Sequence, residues 1–199
     1  MLKILKIFVS FAFCFSIAAC AFAKDVTIAL PAPDKTGGKP LMQAFDLRKT
    51  DRNISSKALP TQELSNLLWA TWGINRADGK RTAPTARNNQ KIEVYAVLAD
   101  GVWLYDGVKN VLVQVLSSDE RGKYSPAGVT LLYAADSTDS FAGMHVGSLY
   151  QNAGLYCASA GLANVVKASG KDALKGVLPL QKNYEVFIIH TIGHRIENR

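Results

Sequence analysis

Five consecutive residues, Arg48-Lys49-Thr50-Asp51-Arg52, gather three cations, a hydroxyl and one acid. Arginine can grip a phosphate at two points and threonine can add a hydroxyl donor, so the segment suits a phosphate with a polar group beside it. The other reading is a solvated basic surface that Asp51 partly neutralises. A second stretch, from Arg81 to Gln90, carries different chemistry. Pro84 fixes its own φ and pushes Ala83 out of the helical region, while Thr85, Asn88, Asn89 and Gln90 supply short hydroxyl and amide groups. Such a loop can offer several neutral hydrogen-bonding groups to one flat, polar-edged ligand, or it can be an ordinary polar connection.

No other chemistry stands out. His145, His190 and His194 have no metal-site spacing, and Cys157 has no histidine near it in sequence, so it reads as a buried, inert thiol. Lysines and arginines are scattered, with no run of four or more, which argues against nucleic acid.

Met1 to Ala23 has Lys3 and Lys6 ahead of an apolar run, Ile7 to Ala18, and then small residues, the layout of a secretory signal. Cleavage after Ala21-Phe22-Ala23 makes Lys24 the mature N-terminus. The competing site, Ile17-Ala18-Ala19-Cys20, resembles a lipobox and would leave Cys20 lipidated and the protein on a membrane. The apolar run is shorter than the roughly 20 residues of a membrane span. Loss of residues 1–23 removes two lysines and no acid, so the formal charge goes from +7 to +5, and Cys157 is left without a disulfide partner. Residues 24–199 are expected to form a single domain.

Lys24 to Leu41, with three prolines and Gly37-Gly38, reads as an extended lead-in that can wrap a partner subunit. Leu41 to Leu47 is a short helix. Thr61 is the expected N-cap of a core helix in which Leu64, Leu67, Leu68 and Trp72 recur at helical spacing until Gly73. Lys91 to Ala99 and Val102 to Tyr105 form a hairpin for which Asp100-Gly101 predicts a type I′ turn. Val108 to Leu116 stays open between helix and strand, and Gly128 to Ala135 is a buried strand. His145 to Gly161 is a helix whose small residues, Ala153, Gly154 and Ala158 among them, suit close approach of another helix, at a dimer interface for instance. Tyr184 to Ile192 is the last strand.

In this order the pieces resemble the nitroreductase family of flavin enzymes and, within it, the SagB-type dehydrogenases. Arg48 to Arg52 resembles the family's Arg-Arg/His-Ser-x-Arg/Lys segment, and Leu64 to Gly73 its Leu-Ser-x-Leu-Leu-Trp-Ala helix. Arg81 to Gln90 resembles the Ala-Pro-Ser-x-x-Asn-x-Gln loop. Gln151 to Leu162 is similar to the helix ending Ala-x-Gly-Leu, and Ile192-Gly193 to the final strand. The resemblance implies an α+β, nitroreductase-like fold, a central, mostly antiparallel sheet flanked by helices, with two interlocked subunits binding FMN at their interface. It implies a cofactor-binding set of Arg48, Lys49, Thr50 and Arg52, with Arg48 and Thr50 on the FMN phosphate. Arg52 would lie near the pyrimidine edge, where positive charge stabilises the anionic reduced flavin. Pro84, Thr85, Ala86 and Asn88 would reach the flavin from the other subunit. Lys167 and Ala168 fall where the family offers a backbone N–H to the flavin N5, and Arg195 or Arg199 would add a phosphate contact.

The function implied is hydride transfer through bound FMN, between a small-molecule donor and acceptor, by a periplasmic or secreted homodimer without a catalytic acid or base. The alternative is an exported flavin-binding protein that keeps the dimeric scaffold without turnover.

Overall fold

The structure is a computed structural model and describes residues 26–196. The expected leader, its cleavage site and Arg199 lie outside the described residues. Seven strands make one sheet: β1 (Thr27–Ala29), β2 (Ile92–Leu98), β3 (Gly101–Asp106), β4 (Val111–Leu116), β5 (Val129–Asp136), β6 (Ala163–Lys167) and β7 (Tyr184–Gly193). Their order is β1-β4-β3-β2-β5-β7-β6, with every neighbouring pair antiparallel. Among the described residues three α-helices accompany it: α1 (Leu41–Leu47), α2 (Thr61–Trp72) and α3 (Ala142–Ala160). The expected α+β architecture with an antiparallel sheet is what forms.

β5 is buried at every position because both of its faces are covered. Val129, Leu131, Tyr133 and Ala135 alternate towards α2 and α3, whereas Leu132 and Ala134 meet Leu174 and Leu178 from the segment between β6 and β7. That double cover explains the unbroken apolar run in the sequence. Leu67, Leu68 and Leu149 are fully buried between helices and sheet, and each such side chain contributes about 1.5–3 kcal/mol.

The helix boundaries differ from expectation in two places. Pro60, not Thr61, occupies the N-cap position of α2; its carbonyl accepts the Leu64 N–H, and no side chain caps the helix. The fixed φ of proline already directs the chain into the first turn. α2 stops at Gly73, whose ψ of 162° turns the chain out of the helix, and only glycine fits there, since a Cβ would stand 2.3 Å from Trp69 Cδ1 and 2.7 Å from the Trp69 carbonyl oxygen. α3 starts at Ala142, three residues before His145, and ends at Gly161, which takes a left-handed φ of 79°.

The hairpin forms with Tyr95 opposite Leu104, but its turn is not type I′. Leu98 pairs with Gly101, so Ala99 and Asp100 are the loop, and neither has the positive φ that type I′ demands. Gly101 (φ 140°) serves another purpose: a Cβ there would lie 2.2 Å from the Leu116 carbonyl oxygen of β4, beside a register shift at Val102/Trp103. Residues 108–116 resolve as a turn with Asn110 at φ 53°, followed by β4.

The lead-in packs on its own chain. β1 adds to β4, Leu30 is buried, and the Pro31 carbonyl accepts bonds from Ser65 Oγ (2.6 Å) and Asn110 Nδ2 (2.9 Å). The small residues of α3 are likewise used internally: Ala153 is fully buried in the core and Ala158 nearly so, while Asn152 Nδ2 donates to the Ala70 carbonyl of α2 at 3.2 Å. Close approach therefore occurs between α2 and α3 of one chain.

Candidate functional site

The cation segment begins where α1 ends. Arg48 N–H bonds the Ala44 carbonyl, and the chain then runs extended alongside β6 and the end of β7. Asp51 N–H donates to the Asn164 carbonyl (2.8 Å), and Ile54 bridges to Arg195. The Arg48 stem crosses α3 at Gly154, with Cγ and Cδ each 3.9 Å from where a Cβ would stand. Arg48, Lys49, Thr50 and Arg52 are exposed. Among the described residues none of these three cations has a carboxylate oxygen within 4.0 Å. Asp51 is already engaged: its Oδ2 is 3.1 Å from Arg195 Nε and its Oδ1 accepts Asn53 N–H. The donor set, three cations without a carboxylate partner among the described residues and a hydroxyl, with the single acid neutralised, fits a phosphate.

Beneath this segment lies a buried polar row. Asn164 Oδ1 faces His190 Nε2 at 3.0 Å, which places the hydrogen on Nε2, and His190 Nδ1 then accepts the Tyr133 hydroxyl at 3.1 Å. Burial pushes the His190 imidazole down to about 3, so it is neutral. Lys167 and Ala168 stand at the other end of β6, about 10 Å from Asn164 at strand rise, with Lys167 Nζ donating to Ser125 Oγ (2.6 Å).

The loop from Arg81 to Gln90 is braced from inside. The Arg81 guanidinium lies 4.5 Å over the Trp72 ring, donates to the Trp72 carbonyl (2.7 Å) and to Gln90 Oε1 (2.7 Å), and burial lowers its pKa. Gln90 Nε2 in turn reaches Asn88 Oδ1 (3.1 Å). Arg87 and Asn88 both take left-handed backbone, φ 56° and 55°, uncommon for non-glycine residues. Two contacts tie the loop to the start of α3: Ala86 N–H donates to His145 Nε2 (2.8 Å), and Asn89 Nδ2 donates to Asp139 Oδ2 (2.7 Å). Asn89 and Gln90, which the sequence offers as ligand groups, are thus internal braces, leaving Pro84, Thr85, Ala86 and Asn88 at the rim. His145, Asp139 and Asn164 carry no local sequence signal for these roles.

The two clusters do not meet within one chain. Gly154 under Arg48 and His145 under Ala86 are nine residues apart on α3. That is about 14 Å along the axis, on opposite faces of the helix. Open depressions elsewhere, one of about 520 Å³ beside Ser56, Tyr124 and Thr130 and an apolar one of about 350 Å³ beside Ile28, Leu59 and Leu98, contain none of the candidate residues.

A sequence profile described as the Nitroreductase family matches residues 47–194, from the foot of the cation segment to the end of β7. The chain belongs to the nitroreductase family. A solved nitroreductase-type structure from Ralstonia eutropha is 33% identical, superposes with a TM-score of 0.79, and is matched over 86% of this chain and 90% of its own. A chain of the Escherichia coli microcin synthetase McbBCD complex shares the nitroreductase fold at 18% identity, with a TM-score of 0.67 over 96% of this chain and 85% of its own. A nitroreductase-type structure from Desulfovibrio desulfuricans in complex with FMN shares it at 18% identity, with a TM-score of 0.57 over 80% and 88%.

Proposed function

We propose that this nitroreductase-family chain is an FMN-dependent oxidoreductase acting as a homodimer. Each site would combine the Arg48–Arg52 segment of one subunit with the Pro84–Asn88 loop of the other. The observation that carries this reading is the placement of the two clusters on opposite faces of α3, so that one chain alone would hold two half-sites and no whole one. Two features support it. Leu41, Met42, Phe45 and Leu47 on α1, with Phe141 and Met144 at the start of α3, leave large apolar side chains exposed, as a surface awaiting a partner does. The similar chain from Desulfovibrio desulfuricans holds FMN.

In this reading Arg48 and Thr50 bind the phosphate with Lys49 beside them, Arg52 sets a positive charge beside the ring system, and Lys167 and Ala168 offer backbone donors at its edge. Bound FMN supplies hydride transfer between a small-molecule donor and a small-molecule acceptor. No side chain of this chain need move a proton. The five family-like segments in their order support the finer assignment to SagB-type dehydrogenases, and the signal-like residues 1–23 support a periplasmic or secreted protein.

Purification from the native envelope tests the whole reading. FMN identified by absorbance and mass, a dimer in sedimentation, and flavin bleached by a reductant and restored by an acceptor are the expected results. A colourless monomer that does not take up added FMN overturns it.

A further inference from the structure

We infer that His145 is a positioning residue that latches the flavin-facing loop by accepting the Ala86 N–H at Nε2. The inference rests on the reading that Pro84–Asn88 faces FMN. Ala86 N–H is a donor, so His145 Nε2, 2.8 Å away, must be the acceptor, and the ring hydrogen must sit on Nδ1. Nδ1 points to Asp139 Oδ2 at 3.7 Å, and that same oxygen accepts Asn89 Nδ2 at 2.7 Å. Asp139 Oδ1 accepts the Phe141 N–H, which fixes the carboxylate at the start of α3. One histidine and one carboxylate therefore pin both sides of the two left-handed residues, Arg87 and Asn88. Backbone of that kind persists where its surroundings over-determine it.

His145 is 3% exposed, so without an acceptor at Nε2 the Ala86 N–H is left unpaired in a largely dry site, and the loop must move away. The charged groups around the imidazole do not replace the lost bond. Asp139 faces Nδ1; Arg87 is exposed on the loop; Lys91 at the foot of β2 is paired with Asp136 of β5 at 3.0 Å; and Glu185, opposite Ala135 on β7, is exposed. Glu63 of α2 lies beside Tyr156, eleven residues farther along α3, and α1, with Asp46, meets α3 on its other face near Gly154.

The test compares the full-length wild type with His145→Gln, whose amide oxygen can still accept the Ala86 N–H, and with His145→Leu, which offers no acceptor. The first readout is the exchange protection of the Ala86 amide at neutral pH, corrected for intrinsic rates. Protection is expected to survive in His145→Gln and to be lost in His145→Leu. The second readout is FMN affinity, which should be about tenfold weaker in His145→Leu and restored in His145→Gln, a rescue that packing alone would not give. A protected Ala86 in His145→Leu, or no rescue by His145→Gln, overturns the latch. Should the variants not fold, the wild-type amide of Ala86 decides: exchange at the unprotected rate overturns the latch, and protection on the scale of Leu162, whose N–H bonds Cys157 at the far end of α3, supports it. The expected protection pattern without FMN binding supports the latch and overturns the cofactor reading.

Discussion

Arg195 Nε stands 3.1 Å from Asp51 Oδ2, so the acid inside the cation segment is neutralised by a residue 144 positions away. Arg195→Ala frees a negative charge beside Arg48 and Arg52 and should weaken FMN binding a few-fold, the scale of a half-exposed pair. Asp51→Asn added to Arg195→Ala should restore most of the loss, since it removes the unpaired acid. Fluorescence titration with FMN measures both; a double variant no better than Arg195→Ala would mean that the arginine touches the ligand directly.

Arg48 has no carboxylate partner among the described residues, and its stem lies against Gly154. Removing it should take about 2–4 kcal/mol from FMN binding, as truncation of one partner in a partly dry charge pair does. That is a tens- to several-hundredfold loss. Arg121, held at both ends by Asp119 in a surface turn, is the control and should change nothing. Equal flavin retention by Arg48→Ala and Arg121→Ala after gel filtration would return the segment to plain solvated surface.

Ala153 is fully buried between α3 and its own sheet and helices. Ala153→Leu should therefore destabilise the single chain by about 1–3 kcal/mol, lowering the melting temperature by roughly 2–12 °C. Calorimetry of the flavin-free protein reads this directly, and an unchanged melting temperature would show that the position has room.

His190 takes up a proton only near pH 3 when folded, against an ordinary 6.5. Between those values the unfolded chain binds the extra proton, so the contribution is complete above about pH 6.5 and is lost as pH falls towards 3. The slope is up to about 1.4 kcal/mol per pH unit. Asp119 and Asp136, both held at about 2 by their hydrogen-bonded partners, act lower, below their ordinary 3.8. Urea unfolding at pH 7 and pH 5 should show a smaller loss for His190→Gln than for wild type, and equal losses would remove His190 as the source.

Burial pushes the Cys157 thiol far above its usual range. Iodoacetamide should leave it unmodified in the native protein and alkylate it fully in denaturant, as peptide mass mapping can show. Native labelling at the rate of a free thiol would contradict the packing around α3.

Elements whose side chains repeat at a regular interval were legible in the sequence: the leucines of α2, the alternation in β2 and β3, and the apolar run of β5. β1 and β6 were not, because three and five residues are too few for a period to show. The type I′ turn failed because Asp100-Gly101 is shifted by one residue, the glycine being required by Leu116 rather than by the turn. In the site, residue types revealed the cations and the amide-rich loop. Which of them are braces depends on His145, Asp139, Asn164 and Arg195, partners drawn from 50 to 144 residues away, and such distances leave no local pattern.

β7 follows every other strand in sequence, yet it lies between β5 and β6. During synthesis β2, β3, β4 and β5 can pair as they appear, while β6 has no strand to join until residues 184–193 arrive. The sheet is closed by inserting its last strand into an interior place, a non-local step of the kind that slows folding. A chain cut before Tyr184 would keep a platform ending at β5, with an unpaired edge of the kind that recruits other chains.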